Sequence, residues 1–124
     1  MKVYLICSVR HATKEQIKFA DDYVEEMESL GHEVHYPPRD VDQTDDGTGV
    51  RICEAHRKAM LECDAVHVIW DSTSTGSHFD LGMAYVLEAT KGVKIICVNE
   101  PEGTPHKSYT NFLLEVDRRS RLPS

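Results

Sequence analysis

Ala65-Val66-His67-Val68-Ile69-Trp70-Asp71-Ser72-Thr73-Ser74-Thr75-Gly76-Ser77-His78-Phe79-Asp80-Leu81-Gly82-Met83-Ala84 is the stretch that decides the fold. Residues 65–70 form a nearly unbroken apolar run, which suits a strand buried on both faces. The run empties into a hydroxyl-rich loop, and a helix follows from Gly76 to Lys91, where Gly92 stops it. A buried strand that passes through a loop into a helix is the repeating unit of an open parallel sheet.

The same alternation extends in both directions. Upstream, Val3, Tyr4, Leu5 and Ile6 read as the first and central strand. Thr13-Lys14-Glu15-Gln16 has the form of a capping box, and Ile17, Ala20, Val24, Met27 and Leu30 then recur at helical spacing up to Gly31. Residues 33–36 read as a second strand, ended by Pro37-Pro38, which removes two backbone donors in succession. Between Arg39 and Gly49 periodicity is lost in favour of Asp, Thr and Gly, a loop long enough to serve a ligand or to be a plain surface excursion. Ile52, Ala55, Ala59 and Cys63 share one face of a helix that leads into the quoted strand. Downstream, residues 93–98 form a fourth strand closed by Pro101, and an amphipathic helix covers residues 109–116. The pattern predicts an α/β fold, a flavodoxin-like or Rossmann-like three-layer sandwich with a mostly parallel central sheet of four to five strands. Its 124 residues form a single domain, 1–124.

Composition narrows the partners. Lys plus Arg number 14 against 21 Asp plus Glu, a balance that repels a nucleic-acid backbone and excludes polymeric DNA or RNA as the expected ligand. A small phosphorylated molecule remains compatible, because one Arg and a few backbone N–H groups bind it locally. No apolar run approaches the ~20 residues of a membrane helix, and no signal-peptide core opens the chain. Cys7, Cys53, Cys63 and Cys97 show no C-x-x-C spacing, so they read as reduced thiols of a cytoplasmic protein. The seven histidines lack ligand spacing, so no metal site is expected.

In such sheets ligands bind beyond the carboxyl ends of the strands, where strand order reverses. Fold physics therefore gathers Ser8 to His11, Tyr36 to Asp40, Asp71 to Asp80, Asn99 and Glu100 at one edge. Asp80 is the prime candidate. Read as opening the helix, it faces exposed N–H groups that favour a carboxylate's ionised form, a state that suits a nucleophile. Ser77-x-x-Asp80 equally fits a capping box, so Asp80 also has a purely local role open to it. Gly82 reads as a point where the helix packs closely on a neighbour. His56 and His78 are candidate proton donors to a leaving group, since imidazole titrates near neutrality. Trp70 is either core or a surface on which a base stacks.

Residues 75–84, Thr75-Gly76-Ser77-His78-Phe79-Asp80-Leu81-Gly82-Met83-Ala84, resemble the G-x-x-x-E-L-G-x-A signature of the nucleoside 2-deoxyribosyltransferase superfamily. Cys7-Ser8-Val9-Arg10 is similar to the strand-one phosphate loop, G-S-I-R-G, of its 2-deoxynucleoside 5-monophosphate N-hydrolase branch. The likeness runs from about residue 2 to 98 with both motifs in the right order. It implies cleavage or transfer of a nucleoside or nucleotide N-glycosidic bond through a carboxylate nucleophile, with no cofactor. By position Asp80 would attack the sugar, Ser8 and Arg10 would hold a 5-phosphate or 5-hydroxyl, and Tyr4, Asp71, Gly76 and Ser77 would line the substrate pocket. The resemblance also implies a homo-oligomer.

Three positions depart from the pattern. Asp80 stands where the signature carries Glu. His56 stands where a sugar-contacting Asp is expected, eight residues before Asp64, and Glu54 is turned about 200° from that position on a helix. Cys7 and His11 replace the glycines that flank the phosphate loop. These departures keep an alternative in view, a non-catalytic nucleotide-binding or sensor protein on the same fold.

Overall fold

The computed structural model describes residues 1–123. Its elements run β1 (Lys2–Ile6), α1 (Lys14–Ser29), β2 (Glu33–His35), α2 (Pro37–Asp40), α3 (Val50–Leu61), β3 (Ala65–Val68), α4 (Thr75–Lys91), β4 (Lys94–Cys97) and α5 (Tyr109–Ser120). The sheet has four strands in the order β2-β1-β3-β4, all parallel. The expected α/β sandwich is thus present with the lower of the two strand numbers. Strand order reverses at β1, which sits between β2 and β3.

Alternation along β1 explains the two layers. Val3 and Leu5 pack on one face against Ala20 and Val24 of α1 and Val34 of β2. Tyr4 and Ile6 face the other way, into a larger cluster with Met60 of α3, Leu81, Ala84 and Leu87 of α4, and Ile95 of β4. Each strand side chain therefore enters one apolar layer or the other, as the period of two requires.

Helix α1 begins as its sequence predicts. Thr13 Oγ1 accepts from Gln16 N at 3.1 Å, and Gln16 Oε1 accepts from Thr13 N at 2.8 Å. Its apolar stripe is narrower than the spacing suggests, because Ile17 and Leu30 at the two ends are exposed. Pro37-Pro38 does end β2, but it also opens the short helix α2, where proline's fixed φ is compatible with a first turn. The aperiodic segment is correspondingly shorter than expected.

Where a fifth strand would pair with β4, α5 lies instead. Ser120 Oγ accepts from Ile95 N at 3.1 Å and Asp117 Oδ1 accepts from Cys97 N at 2.7 Å. Side chains of a helix thereby satisfy two outward backbone donors of the edge strand and block further strand addition. Among the described residues no helix is long and apolar enough to cross a membrane.

Candidate functional site

The β1 exit, the start of α2, the face of α3 and the first turns of α4 enclose a cleft of about 460 Å³. Asp80 is in its wall, 6% exposed. The helix that carries it starts at Thr75, and Ser74 is the cap, its Oγ accepting from Ser77 N at 3.2 Å. Asp80 therefore lies in the second turn. This corrects both the capping-box reading of Ser77-x-x-Asp80 and the placement of its carboxylate at the amide end of the helix.

Its partners come from other elements. Tyr4 Oη donates to Asp80 Oδ2 at 3.0 Å, and His56 Nδ1 on α3 lies 3.3 Å from the same oxygen. Tyr4 is sealed in the core, and burial, reinforced by the Asp80 charge, pushes its phenol far above the usual range. The phenol keeps its proton and stays a donor. With Oδ2 held twice, Oδ1 is the carboxylate oxygen without a protein partner among the described residues.

Parallel register builds the floor of this site. Tyr4 pairs with His35 on β2 and with Val66 on β3. The His35 ring stacks on Tyr4 with centroids 5.1 Å apart, and His56 meets Tyr4 edge-on at 6.1 Å. Burial lowers the pKa of His35 and favours its neutral form. Tyr4 consequently sits beneath Asp80 and outside the cleft lining, where the sequence reading had it facing the base or sugar.

Asp80, His56, Gly76, Ser77 and Arg10 share the cleft. A Cβ at Gly76 would meet nothing within 4 Å, so that wall is open to a ligand. Gly82 is likewise free of close neighbours and exposed, which corrects its reading as a helix packing point. The Arg10 side chain is exposed at the mouth and has no ion-pair partner among the described residues. The other arginine near this edge, Arg39, is engaged by Asp40 at 2.7 Å and Glu28 at 3.0 Å. His11 also borders the cleft, with φ of 63°. The left-handed backbone that a glycine would favour is thus preserved at His11, at a cost of roughly 1–2 kcal/mol.

Ser8 and Asp71 fall elsewhere. They line a smaller hollow of about 250 Å³ bounded by Gln16, Phe19, Ile69 and Asn99, and Cys7 stands between it and the Asp80 cleft. Asp71 accepts from Thr73 N and Oγ1 and from Gln16 Nε2, and the Thr73 bonds hold its carboxyl below the usual range. Asp71 therefore braces the loop. Burial pushes the Cys7 thiol up to about 12, so it stays protonated.

Two aromatic candidates are absent from the lining of the Asp80 cleft. Trp70 is buried and its Nε1 donates to Thr110 Oγ1 at 2.8 Å. His78 Nδ1 contacts Ser74 O at 2.7 Å, and its ring packs on Trp70 and Tyr109 away from the cleft. Cys53 and Phe79, by contrast, line the cleft and were not singled out from sequence. Phe79 had one signal, a large apolar residue next to the candidate nucleophile, and it is 55% exposed.

By sequence, no family model and no curated protein matches the chain. By structure it is similar to the CMP N-glycosidase BcmB of Clostridium botulinum, with 21% identity, a TM-score of 0.58, and coverage of 94% of this chain and 82% of that one. It is similar to a 2-deoxyribosyltransferase of Bacillus psychrosaccharolyticus, with 17% identity, a TM-score of 0.63, and coverage of 91% and 90%. A conserved protein of Enterococcus faecalis V583 matches at 13% identity and a TM-score of 0.66, over 96% and 87%. Nearly the whole chain therefore adopts the flavodoxin-like fold found in nucleoside 2-deoxyribosyltransferases and in a CMP N-glycosidase.

Proposed function

We propose that this protein cleaves or transfers the N-glycosidic bond of a nucleoside or nucleotide, with Asp80 as the nucleophile. The observation that carries the reading is the Asp80 carboxylate: buried in the wall of a cleft of about 460 Å³, held through Oδ2 by Tyr4 and His56, and left with Oδ1 unengaged among the described residues. The likeness of fold to a CMP N-glycosidase and a 2-deoxyribosyltransferase supports it.

In this scheme Oδ1 attacks C1 of the sugar. The C1–N bond breaks, and its electron pair leaves with the base, which takes up a proton. The resulting glycosyl ester is opened at C1 by water or by the nitrogen of a second base, which regenerates the carboxylate. A hydrogen bond from Tyr4 orients the carboxylate and steadies it again when the ester is cleaved. His56, whose Nδ1 lies 3.3 Å from Oδ2, is the candidate to move the proton. Arg10 at the mouth suits a 5-phosphate or 5-hydroxyl.

The test is incubation with nucleosides and their monophosphates, reading free base by chromatography. Release by the wild type and none by Asp80→Ala is the expected result. No release, or equal release by both, refutes the scheme. Binding of an intact nucleotide without turnover would instead favour the non-catalytic sensor.

A further inference from the structure

The two faces of the sheet are covered unevenly. On one face Val66 and Val68 of β3 and Ile95 of β4 are sealed in the cluster they share with α3 and α4. On the other face the buried cluster that α1 builds is mainly with β1 and β2. His67 and Ile96 pair across β3 and β4 on that same face, and Ile69 and Val98 continue it past the strand ends. All four are only partly buried. The helix that follows β4 does not seal them, because α5 runs along the edge, where its Ser120 and Asp117 satisfy Ile95 N and Cys97 N. Parallel sheets are normally covered on both faces, so this open half calls for a partner.

The floor of the open half carries no charge. His67 meets the Tyr23 hydroxyl through Nδ1, and burial lowers its pKa to about 4, which keeps the ring neutral. The two banks are charged and opposite in sign. Along α1, Phe19 is 46% exposed beside the floor, and Glu15 and Glu26 lie on the same side of the helix. Across the floor, Lys94 opens β4 on the Ile96 face and Arg121 follows α5, held against Cys97 O and Asp117. Glu15, Glu26 and Lys94 have no ion-pair partner among the described residues.

We propose that the open β3–β4 face is an interface with a second copy of this chain, in which the two copies pack Ile69, Ile96, Val98 and Phe19 against each other about a two-fold axis. A two-fold axis normal to the face turns the acidic bank of one copy onto the basic bank of the other. One surface thus supplies both halves of the charge match, as an isologous contact requires. The face is on the α1 side of the sheet, opposite α3 and α4, so the proposal stands apart from the reading of Asp80.

The experiment is sedimentation equilibrium of the full chain at micromolar concentrations and above. The wild type is expected at twice its 14.1 kDa protomer mass, and Ile96→Glu as a monomer with the circular dichroism of the wild type. Lys94→Glu changes an exposed side chain and is expected to weaken self-association about fivefold or more, with Glu26→Lys in the same chain restoring it. In a mixture of ordinary and heavy-isotope chains treated with a carbodiimide, amide links between Lys94 of one and Glu15 or Glu26 of the other are expected by mass spectrometry. If Ile96→Glu fails to fold, Lys94→Glu and the links decide. A monomeric wild type, or self-association that a folded Ile96→Glu or Lys94→Glu leaves unchanged, overturns the proposal. Links that join only other surfaces of the two copies overturn it as well.

Discussion

The Tyr4 hydroxyl is one of two groups that hold the candidate nucleophile's Oδ2. Tyr4 is fixed by strand pairing on both sides and by burial, so its donation to Asp80 Oδ2 is preorganised rather than assembled on binding. Tyr4→Phe removes that bond with little change of shape. Hydrogen bonds to charged groups contribute about 1.5–3 kcal/mol, so kcat/KM is expected to fall roughly ten- to hundredfold, checked by steady-state base release. The length of the acid matters for the same reason. Tyr4 and His56 set where Oδ2 sits, and Asp80→Glu extends the side chain by one methylene past that position. A misplacement of about 1 Å costs on the order of 100-fold in rate. The Glu variant is therefore expected to be slower than the wild type in the same assay, although Glu is the residue the resembled signature carries. A faster Glu variant would show that the cleft is shaped for the longer acid.

Two helices do work that their own sequences do not advertise. Helix α4 gains its cap from Ser74, and this one-turn offset moves Asp80 from the helix end into the cleft wall. Helix α5 closes the free edge of β4 with Ser120 and Asp117. Ile95 is fully buried, so Ser120→Ala leaves its N–H without a partner at a cost of about 1–3 kcal/mol. Urea denaturation is expected to show that loss as a lower midpoint. Asp117→Asn keeps an acceptor oxygen for Cys97 N and is expected to lose less.

For the whole molecule, the outer side of α4 is the feature left open. Phe79 is 55% exposed and Val86 60%, and the two share a helical face beside the cleft. An apolar stripe next to a ligand site is the kind of surface through which copies associate. The chain is expected to sediment as a homo-oligomer of its 14.1 kDa protomer, and Val86→Glu to shift it toward the monomer by placing a charge in the contact. Analytical ultracentrifugation of the two proteins checks this, and identical sedimentation of both as monomers would count against it.

Local periodicity was enough to read the strands, the long helices and the parallel order of layers, because burial of alternate or every-third-to-fourth side chains is written along the chain itself. The Thr13 capping box and the Gly92 stop were legible for the same reason: their partners lie within a few residues. What lay beyond reach was every relation between distant segments. The sequence could gather Asp80 and Ser8 at one sheet edge and nominate His56 and Tyr4 separately as site residues. Only the packing put Tyr4 beneath Asp80, aimed His56 at the same oxygen, and turned Ser8 and Asp71 into a separate hollow. Which side of a strand exit a residue takes depends on where the helices from other parts of the chain come to rest, and no local pattern encodes that.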